Sequence, residues 1–284
     1  MNSITKLASS AVLLALTSLP TVAAERVVSV GYGLTELVLA LGAETKLVGI
    51  DMGSKTAISR DNIAELGYHR ALSAEGLLTT KPDLVMGSEE MGPETSLNVL
   101  RDAGINVQVL PSADTPEQLL NNVGVVADLL DRNDAAEPLR QQLRGQLDHI
   151  VALRESLQRQ PTVLFMLLRG DRGPRLGGDG TPADRLIKLA GGINGAGFSG
   201  YKTINQETLL KMNPDLILVT KPSEDGDKVD SANLLLKELP LLKFTAAGQQ
   251  QQIHKLPASA LMGGLGPSAL TEVEALAQRL VEIH

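Results

Sequence analysis

Two stretches of this chain, 132 positions apart, carry one pattern. Ser73 to Gly87 runs Ser-Ala-Glu-Gly-Leu-Leu-Thr-Thr-Lys-Pro-Asp-Leu-Val-Met-Gly, and Asn205 to Val219 repeats its Glu, Leu-Leu, Pro-Asp and Leu in register. A Gly-Tyr pair stands ahead of each copy, Gly67-Tyr68 and Gly200-Tyr201, with a one-residue slip. Solenoid repeats recur every 20 to 50 residues, so a spacing this long marks two lobes of like design.

The 284-residue length suits two such units. Aromatic residues make up only 2% of a chain that is 43% hydrophobic, so the core is expected to be built from Leu, Val, Ile, Ala and Met. The formal net charge of −7 argues against a nucleic-acid partner, whose phosphates demand a basic face. Residues 1–24 read as a cleavable leader: Lys6 gives the positive start, Leu7 to Leu19 the apolar run, and Val22-Ala23-Ala24 the small residues at the cut. The run is too short for a membrane span. No cysteine is present to carry a lipid anchor, so the mature chain is expected free in the periplasm with a net charge of −8.

Beyond the leader, strands at Arg26 to Val30, Lys46 to Ile50, Leu84 to Met86 and Val107 to Leu110 alternate with helices at Leu34 to Leu41, from Ser73, at Pro93 to Ala103 and at Pro116 to Leu130. Alternation of this kind predicts a parallel sheet. From Asn133 to Gln158 the leucine stripe Leu139, Leu143, Leu147, Ile150, Leu153 and Leu157 predicts one long amphipathic helix, with Asp134 and Glu137 placed to cap its start. The second lobe opens at Thr162 to Leu168 and closes on a helix from Ser268 to Glu282. The expected fold is α/β: two similar parallel-sheet lobes, residues 25–132 and 161–284, joined by one long α-helix within 133–160.

Tyr68, one of three tyrosines, is followed by His69 and Arg70. Positive neighbours favour the anionic form of a phenol. Phenolate oxygen is a hard ligand suited to ferric iron, and tyrosine is among the protein ligands of haem iron. These residues alone leave open a loop tyrosine that merely shields a strand edge. Arg169, Arg172 and Arg175 form a basic cluster in an acidic protein, either a solvated loop or a receiver of anionic groups. With Arg70 and Lys202 they would make both walls of a cleft between the lobes basic. Gly263-Gly264-Leu265-Gly266 ends in Pro267 and lacks the spacing of a phosphate cradle. The four histidines are too scattered for a zinc site, and no nucleophile or acid–base constellation stands out, which argues against an enzyme.

The leader, the two Leu-Leu-x-x-x-Pro-Asp-Leu segments and the long helix resemble the periplasmic binding proteins of siderophore, cobalamin and haem ABC importers. Within that class, Gly67-Tyr68-His69-Arg70-Ala71-Leu72-Ser73-Ala74-Glu75-Gly76-Leu77-Leu78 and Gly178-x-Gly180-Thr181-Pro182-Ala183-Asp184-Arg185-Leu186-Ile187-x-Leu189-Ala190-Gly191-Gly192 are similar to the haem-binding branch. The resemblance covers essentially the whole mature chain. It implies the two-lobed fold of the class III binding proteins, haem as the transported ligand, and Tyr68 as the axial iron ligand. Arg70, His69, Arg169, Arg172, Arg175, Tyr201 and Lys202 are then expected around the propionates and the cleft, with Tyr32, Met91, Phe198 and Met262 as further wall residues. Some members place a second-lobe histidine near the position of Arg169; this chain has none there, and a second protein ligand is not implied. The matching glutamates Glu75 and Glu207 are expected to dock on a homodimeric permease with its ATPase. An outer-membrane haem receptor system upstream and a monomeric binding protein complete the expected setting. A ferric siderophore or corrinoid is the alternative ligand, and a periplasmic α/β enzyme the alternative class.

Overall fold

The computed structural model describes residues 23–169, 173–221 and 230–283; the leader through residue 22 and Arg172 lie outside them. In the first lobe β1 (Val27–Val30), β2 (Leu47–Ile50), β3 (Ala64–Glu65), β4 (Leu84–Ser88) and β5 (Asn106–Leu110) form a sheet in the order β3-β2-β1-β4-β5, parallel throughout. Four helices cover it: α1 (Tyr32–Ala40), α2 (Ala74–Thr79), α3 (Glu94–Asp102) and α4 (Pro116–Leu130). Successive strand residues point to opposite faces. Val28, Val30 and Val85 meet Leu77, Leu97 and Leu100 under α2 and α3, while Val27, Leu84 and Met86 meet α1 and α4.

The connecting helix α5 (Asn133–Glu155) has 23 residues, about 35 Å at 1.5 Å per residue. Leu139, Leu143 and Ile150 of its stripe are buried and Leu147 and Leu153 half-buried, while Leu157 falls past the helix end; the Asp134–Glu137 cap does not form. The position before the helix is Arg132, at φ −122° and ψ 36°, outside the extended geometry of a side-chain cap, because α4 ends in a left-handed Asp131 only two residues before α5 begins. Glu137 instead faces Arg144 at 3.1 Å.

The second lobe contains β6 (Thr162–Leu167), β7 (Arg175–Gly177), α6 (Pro182–Leu189), β8 (Ile193–Asn194), β9 (Tyr201–Lys202), α7 (Gln206–Met212), β10 (Leu216–Thr220), α8 (Ser231–Glu238), α9 (Ala246–Gln249), β11 (Ile253–Lys255) and α10 (Pro267–Glu282). Its sheet runs β11-β10-β6-β7-β9. The core strands are parallel, as in the first lobe, but β7 runs antiparallel to both its neighbours, β6 and β9, so this sheet is mixed. Strand β8 takes the first part of the β6 edge, pairing with Thr162 and Val163, and β7 takes the rest. Strands of two or three residues are too short to leave a period in sequence.

The repeat maps onto equivalent places. Helix α2 leads into β4 beside β1, and α7 leads into β10 beside β6. Ser73 caps α2 through the Gly76 N–H, Asn205 caps α7 through the Thr208 N–H, and Leu77 and Leu209 are both fully buried. Cutting such a leucine to alanine costs about 2–5 kcal/mol. Gly67 and Gly200, the glycines before the two tyrosines, both have positive φ.

One apolar cluster runs through both lobes. It joins the inner face of the first sheet, α4, α5, α6 and α10, and the inner face of the second sheet. A second crossing is made by residues 263–266, which thread from the second lobe across the first. The Leu265 N–H donates to the Ala113 carbonyl at 2.7 Å, and a Cβ on Gly264, whose φ is +82°, would lie 2.9 Å from the Ala113 nitrogen. These glycines, which lack the spacing of a phosphate cradle, let two backbones touch. Relative motion of the lobes would shear this shared, close-packed cluster. Among the described residues no helix is long and apolar enough to cross a membrane.

Candidate functional site

Strands β1 and β4 end, at Val30 and Ser88, on a cavity of about 360 Å³ between the lobes. The carboxyl ends of parallel strands are where such sheets bind ligands. The first lobe lines it with Tyr32, Asp51, Tyr68, His69, Arg70 and Glu90, and the second lobe with Pro182 and Tyr201. Leu261 and Met262, just before the crossing, and Gly263, its first residue, complete the lining.

The segment carrying Tyr68 is pinned on both sides. The Gly67 carbonyl accepts from the Met52 N–H at 2.7 Å, and the His69 carbonyl accepts from the Gly92 N–H at 2.9 Å. A turn closes between them, with the Ala71 N–H on the Tyr68 carbonyl at 2.8 Å. The Tyr68 side chain stands at the cavity edge, 49% exposed, with the His69 ring 4.3 Å from its own and tilted by 52°. The two side chains that follow it, His69 and Arg70, are each faced by a carboxylate. Arg70 donates to Glu90, and His69 has Asp51 on one side at 4.0 Å and Glu90 on the other at 3.7 Å. The wall is an array of alternating charge, not a basic patch.

The other two tyrosines are held differently. Burial first, and the Glu36 carboxylate second, push the Tyr32 phenol up against its hydrogen bond to Ser259. Burial also pushes the Tyr201 phenol up, opposed by Arg175 and then Arg185. Both stay protonated walls. Arg175 is turned onto Tyr201, its guanidinium 5.7 Å from the ring centre and donating to the Tyr201 carbonyl. Lys202 lies over the Phe198 ring at 4.6 Å. Arg169 is exposed just past β6, and neither it, Arg175 nor Lys202 lines this cavity. Met262 lines it as expected, but Met91 packs behind β4 and Phe198 against the second sheet's outer core. Glu75 and Glu207 are exposed in the first turns of α2 and α7.

Sequence reasoning missed two residues at the site and one beside it. Asp51 is buried on its floor and Glu90 is the partner of Arg70; both lay in loops without period. Arg185, on α6 one turn after Pro182, reaches the Asp114 carboxylate of the first lobe at 3.2 Å. Its turn is shaped by Asp184. Burial would raise that carboxyl, but Lys188, the Gly180 N–H and Asn194 outweigh it and hold it low.

The periplasmic binding protein family matches residues 27–260. A crystal structure of the periplasmic haem-binding protein HutB of Vibrio cholerae is similar at TM-score 0.78 and 36% identity, covering 90% of this chain and 98% of that one. A periplasmic haem-binding protein from Pseudomonas aeruginosa is similar at TM-score 0.78 and 34% identity, with 91% and 93% covered. A vitamin B12-binding protein of Yersinia pestis is 25% identical over 227 residues, 79% of each chain.

Proposed function

The chain belongs to the periplasmic binding protein family, and we propose that it captures haem in the cleft between its lobes and delivers it to an ABC-type inner-membrane permease. The family serves importers built from a permease and an ATPase. Here the permease is taken to be a homodimer, fed by a monomeric binding protein that is freed from its leader at Ala24 and supplied by an outer-membrane haem receptor system.

One observation carries the reading. Of three tyrosines, Tyr32 and Tyr201 are held by burial, while Tyr68 presents its phenol at the edge of a cavity with apolar walls from Val30, Leu261, Met262 and Pro182. A flat apolar disc carrying iron and two carboxylates needs an iron ligand, apolar walls and cations. In this reading Tyr68 binds the iron as phenolate. Arg70, Arg169, Arg172, Arg175 and Lys202 supply positive charge for the propionates, His69 and Tyr201 complete the cleft, and Glu75 and Glu207 meet the permease. Relatives named as haem-binding at 36% and 34% identity support the ligand. The Yersinia pestis relative favours a corrinoid as the second reading.

Titration of the purified protein with hemin, followed by absorbance, tests this. Saturable binding with the spectrum of tyrosinate-ligated ferric haem is expected, unaffected by excess cobalamin and lost in Tyr68→Phe. No saturable change with hemin, together with stoichiometric cobalamin binding, would overturn it.

A further inference from the structure

Among the described wall residues Asp51 is the one whose charge is fully enclosed, at 1% exposure. Its Oδ1 accepts from the Gly31 N–H at 2.9 Å and from the Ser54 hydroxyl at 2.5 Å, and its Oδ2 from the Gly53 N–H at 3.0 Å. The Ser54 hydroxyl in turn accepts from Thr35 at 3.0 Å, which meets Ser29 at 2.8 Å, and all three are buried. The carboxylate is fixed from behind by a polar chain reaching into β1 and α1. Its remaining open side faces the His69 Nδ1 at 4.0 Å.

His69 is fixed in its turn. Its carbonyl is tied to Gly92, and its Nε2 lies 3.4 Å from the Arg70 Nε and 3.7 Å from Glu90. What the imidazole holds is the Tyr68 ring, 4.3 Å away. A half-exposed tyrosine on a loop would otherwise sample several rotamers and lose that freedom on binding. Groups that orient a ligand side chain remove that cost beforehand.

We propose that Asp51 and His69 are positioning residues for the ligand oxygen of Tyr68: the buried carboxylate, 4.0 Å from the imidazole, orients it electrostatically, and the imidazole packs against the phenol ring. The proposal rests on the reading of Tyr68 as iron ligand. A plain alternative is that Asp51 only caps the short turn Met52–Ala57 through Gly53, a task that needs no histidine.

Three variants separate these, each read by hemin absorbance and by the rate of hemin loss to excess apomyoglobin. His69→Phe keeps a planar ring beside Tyr68 and removes both nitrogens, without touching the hydrogen bonds of Asp51. It should lose hemin faster by roughly tenfold to a hundredfold, the range for partners that orient a metal ligand, with a shifted or broadened tyrosinate band. Asp51→Asn should change the spectrum the same way while lowering Tm. Because Asp51 acts through His69, the double variant should lose hemin no faster than His69→Phe. His69→Phe with the wild-type rate and spectrum would overturn the proposal even if Asp51→Asn failed to fold, and strictly additive effects in the double variant would do so too. Tyr68→Phe is the control. If it keeps the tyrosinate spectrum, the ligand assignment itself falls; if it loses that spectrum while His69→Phe does not change it, only the positioning chain falls.

Discussion

Asp83 and Asp215, 132 positions apart, each turn a carboxylate onto the backbone that opens the neighbouring central strand. Asp83 accepts from the Glu25 and Arg26 N–H groups at 2.9 and 3.1 Å, just before β1, and Asp215 accepts from the Thr162 N–H at 2.7 Å, the first residue of β6. The leucine after each aspartate then enters the sheet in equivalent register, Leu84 beside Val27 and Leu216 beside Val163. The recurring Pro-Asp-Leu is therefore a strand-pairing device used twice.

Asp215 should show in the pH dependence of stability. Hydrogen bonding from Arg159 first, then from the Thr162 N–H against the cost of burial, holds its carboxyl below the ordinary range. A lowered folded-state value means the contribution is complete above the unfolded value of about 3.9 and is lost as pH falls through the folded one. With its side chain only 17% exposed, Asp215→Asn should cost about 1.5–3 kcal/mol near neutral pH, with the gap to wild type closing in acid. Urea unfolding across this range checks it, and a gap that does not change with pH would contradict it.

The parts of the fold that were legible in sequence are those with a period or a recurrence. The Val27–Val30 and Leu84–Ser88 strands, the leucine stripe of α5 and the paired Leu77 and Leu209 all declared their burial. What was not legible depends on non-local pairing. Strands β7 and β9 have too few residues to alternate, and the opposition of Arg70 to Glu90 joins a loop after β3 to one after β4. Tyr68 could be singled out by its type and neighbours, but its support by Asp51 is a contact between loops. No spacing announces it.

The arginines beyond β6 should not behave alike. Arg169 is exposed and has no ion pair among the described residues, so its guanidinium is free to meet a propionate. Arg169→Ala should weaken hemin binding by about 1.5–3 kcal/mol, the value of a charged hydrogen bond, and leave the iron spectrum unchanged. Arg175→Ala should act through Tyr201 and lower Tm. Wild-type hemin affinity in Arg169→Ala, Arg172→Ala and their combination would return this cluster to a solvated loop.

The ion pair from Arg185 to Asp114 crosses between the lobes at 3.2 Å, yet Asp114 is 58% exposed. Exposed pairs contribute roughly 0.2–1 kcal/mol and weaken with salt. Asp114→Ala should therefore lower stability by no more than about 1 kcal/mol, and by less at high ionic strength. A larger, salt-independent loss would mean that this contact, rather than the shared core along α5 and α10, holds the lobes together.

Glu75 and Glu207 stand at matching places on the two lobes, both exposed, each in the first turn of its helix, where the dipole favours a carboxylate. That position alone would suit two unconnected surface residues. Their equivalence on pseudo-symmetric lobes suits a partner with two-fold symmetry, as a homodimeric permease has, and charges at such a rim mainly set orientation and association rate. Neither lines the cavity, so Glu75→Ala with Glu207→Ala should bind hemin as wild type does. Delivery should fail, and the rate with wild-type protein should fall as salt is raised. Transport of hemin into vesicles holding the permease and ATPase checks both, and wild-type delivery by the hemin-loaded double variant would remove these glutamates from the docking surface.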